Sequence, residues 1–440
     1  MRRLGIGRDL ILLFLSTLLW GFGAGLYLYN WPAFVRQLGA SAPELGFLYA
    51  LGFAAMALSY LPGGFMADRW DRKWIIVVGW AVAAPAPLLY IHARSWEHLI
   101  PGFLLYNLSM FSGPALRSYM SHLSDPRHLA TTFALLDASW PLGLIVSPTV
   151  GGIWAEKAGI VPVMWAAFIL YALSTLVLLP MSSQRPLPVT VPAAAPVQVG
   201  APAFMSAAGP PQDVATGGDP LPLWHEQEGN PKPSREQEGG IESVPAARSN
   251  LLRVPGLVPL LALSFCTYLA EHLALPFITP YLQDIPHLDL AHIGLLGSAY
   301  AAGGVLLSPL LGWIADRAGR ARGVGVCLLL LSLSFALMLA TDNIWLLGVS
   351  AFLRGTAMIS WTLLAAAMAT VLPPDMRGRG FALYSLGNGL AMTAGPYPGG
   401  WLYGNSPAIP FAAASAVLLL LAGLSVHCQK LRVTNSGFTR

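Results

Sequence analysis

The chain has 440 residues, of which 55% are hydrophobic and only 10% are charged, whereas an ordinary soluble domain is about 25% charged. This composition excludes a soluble globular protein, because most of the chain cannot face water. The formal charge of +4 lies at the ends of apolar runs, a pattern that indicates membrane topology and not a nucleic-acid partner.

Twelve apolar runs follow one another, each close to the roughly 20 residues that a helix needs to cross about 30 Å of hydrocarbon. Helices are expected because lipid offers backbone polar groups no other partner. The first run is read as an uncleaved helix, since it is too long for a signal peptide and lacks a small-residue cleavage site. The predicted helices 1 to 12 occupy residues 9–30, 44–66, 74–91, 97–118, 130–154, 160–180, 256–281, 291–314, 323–341, 344–370, 379–403 and 407–428.

Residues 181–252 separate two groups of six helices. Prolines, mixed charges and short Ala and Gly tracts dominate this segment, which has too few clustered hydrophobic residues to form a core. We predict a disordered cytoplasmic linker here, joining an N-terminal six-helix bundle (1–180) to a C-terminal one (253–430), with a cytoplasmic tail at 431–440. The cysteines lie within or at the end of apolar runs, so no metal site, disulfide framework or cofactor is expected.

The basic residues set the expected orientation. If the N-terminus is cytoplasmic, the short inner segments hold sixteen Lys and Arg, and the outer loops hold three. Positive residues concentrate on the cytoplasmic side of membrane proteins. We therefore predict cytoplasmic N- and C-termini and an integral, multi-pass protein of the cell (inner) membrane.

The two groups of helices repeat each other. A shift of 248 residues places Asp68 on Asp316 and Pro148 on Pro396, and the same offset holds from helix 1 to helix 5. One ungapped offset over this length indicates two six-helix halves of similar structure. An even number of helices per half keeps the halves parallel.

Charged clusters follow helices 2 and 8, at GGFMADRWDRK (63–73) and LGWIADRAGRAR (311–322). They resemble the signature of the major facilitator superfamily, G-x-x-x-D-R-x-G-R-[KR]-x-[KR]. The second copy fits well, whereas the first has Asp71 where glycine is usual. The resemblance implies an all-α membrane protein, with twelve transmembrane helices in two pseudo-symmetric six-helix bundles. The matching residues are Gly64, Asp68, Arg69 and Arg72 in the first copy and Gly312, Asp316, Arg317 and Arg320 in the second.

The resemblance also implies that this motif is an inner gate that bridges the halves in the outward-open state. Each aspartate would face the positive N-terminal end of a helix in the opposite half, and the arginines would pair with carboxylates or helix carbonyls. The alternative is that the arginines only fix topology.

A second motif lies in helix 5, GLIVSPTVGG (143–152), and is echoed in helix 11 by TAGPYPGG (393–400). It resembles an element that the superfamily's antiporters carry, although Ser147 replaces the glycine before proline. Small residues allow close helix approach, and proline lets a helix bend. A rocking interface and a merely tight helix pair both fit this pattern. The residues concerned are Gly143, Pro148, Gly151, Gly152, Gly395, Pro396, Gly399 and Gly400.

Four residues that can carry charge lie at membrane depth, where charge is costly and marks function by default. Glu271 is the favoured proton site, because burial favours the neutral acid and a nearby Arg354 would favour the carboxylate. His272 would share or relay the proton, and Asp137 is a further candidate. The alternatives are a static Glu271 to Arg354 ion pair and an Asp137 that pairs with arginines at the inner rim.

Evidence for the substrate is thinner. Asn30, Asn107 and Tyr268 are candidate substrate contacts on helices expected to line the path, and Arg354 would suit an anionic group. We expect a monomeric secondary transporter of a small organic solute, most consistent with proton-coupled efflux as in drug:proton antiporters. A symporter or uniporter of an anionic metabolite, or a transporter-like receptor, stays open. No nucleophile or phosphate-binding loop indicates an enzyme.

Overall fold

The computed structural model describes residues 7–123, 129–185, 251–373 and 376–436. These residues are helical, contain no strand, and form twelve segments. Most of the predicted linker 181–252 lies outside the described residues. The segments are α1 (Arg8–Leu28, followed by a short helix Trp31–Gln37), α2 (Ala42–Arg69), α3 (Arg72–Ile91), α4 (Trp96–Leu123), α5 (Leu129–Ala158), α6 (Ile160–Leu178), α7 (Leu257–Asp284), α8 (Leu290–Ala318), α9 (Arg320–Ala340), α10 (Ile344–Val371), α11 (Arg377–Ala394, continued by Pro396–Asn405) and α12 (Ile409–Ser436).

The predicted all-α membrane fold is confirmed. Within the described ranges, nine of the segments are long and apolar enough to span a membrane by length and composition. Several helices extend beyond the predicted bounds: α8 reaches Ala318 and α12 reaches Ser436. The reason is physical, because an apolar run marks only the part of a helix that lies in hydrocarbon.

Polar side chains fix where several helices begin. Ser41 and Glu44 form a capping box at α2, in which the Ser41 N–H donates to Glu44 Oε2 at 2.7 Å. At the equivalent start of α8, Asp289 Oδ1 accepts from the His292 N–H at 2.8 Å. Such caps satisfy the N–H groups that a helix start leaves without partners.

Five long helices are interrupted along their length. In α4 the interruption is a 3-10 turn at Ser109–Ser112. The break in α3 lies at Pro85, and α7 passes through a 3-10 turn around Pro276. The breaks in α10 and α11 lie at Gly355 and Gly395. Proline removes a backbone hydrogen bond, so the breaks at Pro85, around Pro276 and directly before Pro396 are where these helices can bend.

We call the end of the molecule where α1 begins and α12 finishes the terminal end, and the opposite end the distal end. Helices α1–α6 pack mainly on one another, as do α7–α12, and the two halves meet chiefly where α5 packs on α8 and α2 packs on α11. The 248-residue offset exchanges these two pairs. The interface between the halves is therefore itself pseudo-symmetric.

Candidate functional site

Glu271 lies near the middle of α7 and is buried. Its Oε2 accepts a hydrogen bond from Trp361 Nε1 of α10 at 2.7 Å. Its Oε1 is also buried and has no hydrogen-bond partner among the described residues. A buried carboxyl oxygen without a partner is costly in a static structure, which marks Glu271 as a candidate functional group.

Aromatic rings surround this carboxyl group. Tyr268 stacks on Trp361, with ring centroids 5.4 Å apart. His272 lies in the same group and places its ring edge-on to Phe53 of α2, with centroids 5.0 Å apart. This contact joins the two halves. Because His272 Nδ1 lies 2.8 Å from the Tyr268 carbonyl oxygen, Nδ1 donates there and Nε2 is the nitrogen free to accept a proton.

Arg354 forms no ion pair with Glu271 among the described residues, so the alternative of a static pair between them is not seen, and Arg354 is not the direct partner of the carboxyl group. The buried guanidinium instead lies over the Tyr300 ring of α8, 5.3 Å from its centroid. It lines a cavity with room for about one water molecule, beside Ser350 and Met338. Tyr300 in turn packs edge-on to Tyr29 of the N-terminal half, with ring centroids 6.3 Å apart. Arg354, at the end of the first part of α10, therefore lies near the interface between the halves.

The other predicted residues lie apart from this cluster. Asp137 of α5 has a buried Oδ2 without a partner among the described residues and is subject to the charge of Arg117 on α4. Asn107 is buried and donates to the Phe103 carbonyl in its own helix at 2.8 Å. Asn30 is buried where α1 gives way to the short helix, and its Oδ1 has no described partner.

At the terminal end, the motif arginines make matching contacts in the two halves. Arg69 lies over Phe65, 3.7 Å from the ring centroid, and its equivalent Arg317 lies over Trp313 at 4.4 Å. Each arginine thus stacks on the aromatic ring four residues earlier in its own helix.

The next arginine of each copy also stays within its own half. Arg72 is buried, with Nη1 3.2 Å from His122 Nδ1 at the end of α4. Arg320 Nη1 donates to the Ala366 carbonyl near the end of α10 at 2.9 Å.

The two motif aspartates face solvent. Asp68 and Asp316 are exposed and make no hydrogen bond or ion pair with a described residue. The expected contact of each aspartate with a helix of the opposite half is therefore not formed in this structure. Gly64 and Gly312 have open space where a side chain would lie.

At the distal end, side chains of the two halves bind each other. Arg36, after α1, donates through Nη1 to Asp284 Oδ1 at the end of α7, at 2.9 Å. The Tyr403 hydroxyl of α11 donates to Asp284 Oδ2 at 2.7 Å. Arg36 and Asp284 occupy equivalent positions, 248 residues apart. The name distal latch is used below for these three residues.

Further bonds close the same end. The Glu156 carboxylate of α5 accepts from the Leu290 N–H at the start of α8, at 3.0 Å. The Thr279 hydroxyl donates to the Tyr29 carbonyl oxygen at 2.7 Å. The Thr149 and Ser298 hydroxyls, 2.7 Å apart, join α5 to α8 in the distal half of these helices. The molecule is therefore closed at its distal end.

The glycines of the second motif occupy the closest helix approaches. A side chain at Gly151 or at its equivalent Gly399 would meet the backbone of α1 or α7 within the same half. One at Gly152 or Gly400 would meet the Leu290 or Ala42 carbonyl of the opposite half.

The other members of this motif pack in the same way. Gly143 lies against Gly21 and Phe22 of α1, and Gly395 lies against His272 and Leu273 of α7. The carbonyls of Pro148 and Pro396 contact Gly294 and Gly46 across the interface. Helices α5 and α11 thus each pack closely on a helix of their own half and on one of the other half.

Sequence reasoning missed the distal latch and the bond from Trp361 to Glu271. The 248-residue offset carries a signal for the first, because it places an acidic residue on a basic one at the ends of helices 1 and 7. The second had no local signal, since residues 271 and 361 are far apart in sequence. No group of His, Cys, Asp and Glu able to hold a metal ion occurs in the described part of the chain.

Comparison with known proteins identifies the family to which this architecture belongs. The family model described as Major Facilitator Superfamily matches residues 13–235 and 260–437. Tetracycline resistance protein, class C, from Escherichia coli is 34% identical over 155 residues, which cover 34% of this chain and 39% of the relative. Quinolone resistance protein NorA from Staphylococcus aureus is 27% identical over 163 residues, which cover 37% of this chain and 42% of the relative. The match therefore spans about two fifths of the length of these relatives.

A solved structure covers the whole fold. The human organic anion transporter MFSD10 superposes with a TM-score of 0.59 at 17% identity, over 96% of this chain and 100% of that one. An identity this low supports the fold alone. Taken with the family match over both halves, it shows that the chain is an integral membrane transporter and not an enzyme, and that it belongs to the Major Facilitator Superfamily.

Proposed function

We propose that the protein exports a small organic solute in exchange for protons, by alternating access. The observation that carries this proposal is Glu271, a buried carboxyl group at membrane depth with one oxygen held by Trp361 and the other without a described partner. Such a group can take up and release a proton when its surroundings change. Its neighbour His272 contacts Phe53 of the opposite half, so movement of the halves changes those surroundings.

The relatives support export and an organic substrate. The names of two of them refer to resistance to tetracycline and to quinolones. The aromatic rings of Tyr268, Trp361 and Phe53 around the carboxyl group suit an amphipathic organic molecule. We place the protein in the cell membrane as a monomer.

The terminal end is assigned to the cytoplasm. Sixteen Lys and Arg fall in the short segments at that end and three fall in the distal loops, and positive residues favour the cytoplasmic side. With this assignment, the distal closure is an outer gate, and the described conformation is closed toward the outside.

The transport cycle then exchanges one set of contacts for another. Opening the outer gate breaks the distal latch and the bond between Glu156 and the Leu290 N–H. Closing the inner side brings the exposed Asp68 and Asp316 toward helix ends of the opposite half, as the resemblance to the family motif implies. The glycines at 152 and 400 let α5 and α11 rock against their partners without separating.

In this scheme Glu271 binds the proton, and His272, through Nε2, is the group placed to relay it. Asp137 lies toward the terminal end beside Arg117 and would act as a second site on the cytoplasmic side. Asn30, Asn107 and Tyr268 are proposed as neutral polar contacts for the substrate.

Flux in proteoliposomes under an imposed pH gradient tests the proposal. Wild-type protein is expected to accumulate a fluorescent organic cation against its gradient when the pH gradient is present. Glu271→Gln is expected to bind the same compound but to lose accumulation, because the amide cannot carry a proton. Gradient-driven uptake that survives this change would remove Glu271 as the coupling site.

A second candidate rests on Arg354, which is buried and has no acidic partner among the described residues. An unpaired cation at this depth suits the carboxylate or phosphate of an anionic metabolite. In that case Arg354→Gln would abolish substrate binding, and transport would show no dependence on the pH gradient.

A further inference from the structure

The first motif copy departs from its family pattern at Asp71, and the second copy keeps glycine at the equivalent position, Gly319. Gly319 has a φ of 96°, in the left-handed region that favours glycine. Asp71 has a φ of −63° and a ψ of 115°, an ordinary extended conformation. The first loop therefore follows a different backbone path and does not need glycine.

The Asp71 side chain binds the chain segment that follows α6. Its Oδ1 accepts from the Gln184 N–H at 3.0 Å, and its Oδ2 accepts from the Ser183 hydroxyl. Beside it, the Arg72 N–H donates to the Gln184 carbonyl oxygen at 3.0 Å. Asp71 Oδ1 also accepts from the Lys73 N–H and so caps α3.

A second set of contacts holds Ser182, the residue before Ser183. The buried Tyr119 hydroxyl, at the end of α4, lies 2.9 Å from the Ser182 carbonyl oxygen and 2.9 Å from Asp9 Oδ2. The Ser182 N–H donates to the same Asp9 oxygen at 3.2 Å. Residues 182–184 are thus fixed to three elements of the N-terminal half.

The C-terminal half has no counterpart of these groups. The 248-residue offset places Leu257 at the position of Asp9, Ala367 at that of Tyr119 and Gly319 at that of Asp71. A feature of only one half is not required by the architecture that both halves share. The polar residues at these three positions therefore occur only in the half that carries the docked segment.

We propose that the α2–α3 loop is a docking site for Ser182–Gln184, the first residues of the linker, with Asp71 as its anchoring residue. The docked segment is bound directly after the end of α2, whose last two residues are Asp68 and Arg69. The start of the linker is therefore attached, through Asp71, to the segment that joins α2 to α3. The docking itself does not depend on the substrate or direction of transport.

Hydrogen exchange measured by mass spectrometry on the full-length protein in nanodiscs tests this inference. Asp71→Ser keeps an N-cap, because serine caps as well as aspartate does, but is too short to reach Ser183 and Gln184 together. We expect the Gln184 and Arg72 amides to exchange about tenfold faster in this variant. The Ile75 amide, in the first turn of α3, is expected to keep its protection.

Two further variants complete the test. Ser183→Ala removes one donor without touching the cap, and is expected to accelerate the same two amides to a smaller extent. Asp289→Ser changes another aspartate N-cap, that of α8, and is the control, which should leave residues 182–185 unaffected. Unchanged exchange at Gln184 in both Asp71→Ser and Ser183→Ala would overturn the docking site. If the α3 amides lost as much protection from exchange as Gln184, Asp71 would act only as the N-cap of α3, and the docking site would be refuted.

Discussion

The distal latch allows a quantitative prediction about which end of the molecule is open. Arg36 and Asp284 form an ion pair whose side chains are 34% and 31% exposed. A pair this exposed contributes about 0.5 kcal/mol, and the hydrogen bond from Tyr403 to the carboxylate adds about 1 kcal/mol. Asp284→Asn removes the negative charge and replaces one acceptor oxygen by an N–H donor, which weakens both contacts. It is therefore expected to cost up to about 1.5 kcal/mol in the distally closed state, which raises the ratio of open to closed molecules by up to about tenfold.

Spin labels at Arg94 and Asp342 provide the assay. Both residues are exposed on distal loops, one in each half, and the distance between the labels reports opening of that end. In a cysteine-free background, Asp284→Asn should increase the population at the longer distance by up to about tenfold. Tyr403→Phe should give about two thirds of the free-energy change.

A charge swap separates pairing from other effects of substitution. The double variant Arg36→Asp with Asp284→Arg restores opposite charges at the two equivalent positions but gives Tyr403 no carboxylate to bind. Its open population should fall between those of wild type and Asp284→Asn. An open population in Asp284→Asn equal to that of wild type would refute the latch, and so would a swap no better than Arg36→Asp alone.

Three further predictions follow from the site and its packing. Trp361→Phe removes the bond to Glu271 Oε2 and should shift the pH at which transport is half-maximal, because the carboxylate loses its donor; an unchanged pH profile would argue against Glu271 as the proton site. Gly152→Ala places a methyl group against a backbone carbonyl of α8 and should destabilise the protein by about 1–3 kcal/mol, measured as a lower melting temperature, whereas the control Gly404→Ala has open space and should change little. Arg354→Gln should leave pH-driven transport of an organic cation intact if the proposed function holds, and loss of binding would instead favour an anionic substrate.

Much of the fold was predictable because lipid imposes a strong rule on sequence. A run of about 20 apolar residues marks a spanning helix with few alternatives, and the ungapped 248-residue offset revealed the two halves. Glu271 and Arg354 were found as charges at membrane depth. Their partners were not, because contacts between α7, α8 and α10 depend on helix rotation, which the apolar pattern leaves open.

The conformational state could not be predicted from the sequence either. A transporter sequence encodes contacts for more than one state, so the motif at Asp68 and Asp316 predicts a gate without indicating whether its contacts are formed in this conformation. The role of Asp71 was hidden for a different reason. Its partners, Ser183 and Gln184, lie more than a hundred residues away, at the edge of a segment with no structural pattern of its own.

The equivalence of Arg36 and Asp284 has a consequence for the history of the chain. Positions that meet across a pseudo-two-fold axis would carry the same residue immediately after a gene duplication, and two arginines or two aspartates would repel each other there. An attractive pair at this point requires that at least one copy had already changed. The closure of this end by opposite charges therefore arose after the ancestral repeat stopped being a symmetric assembly of identical units.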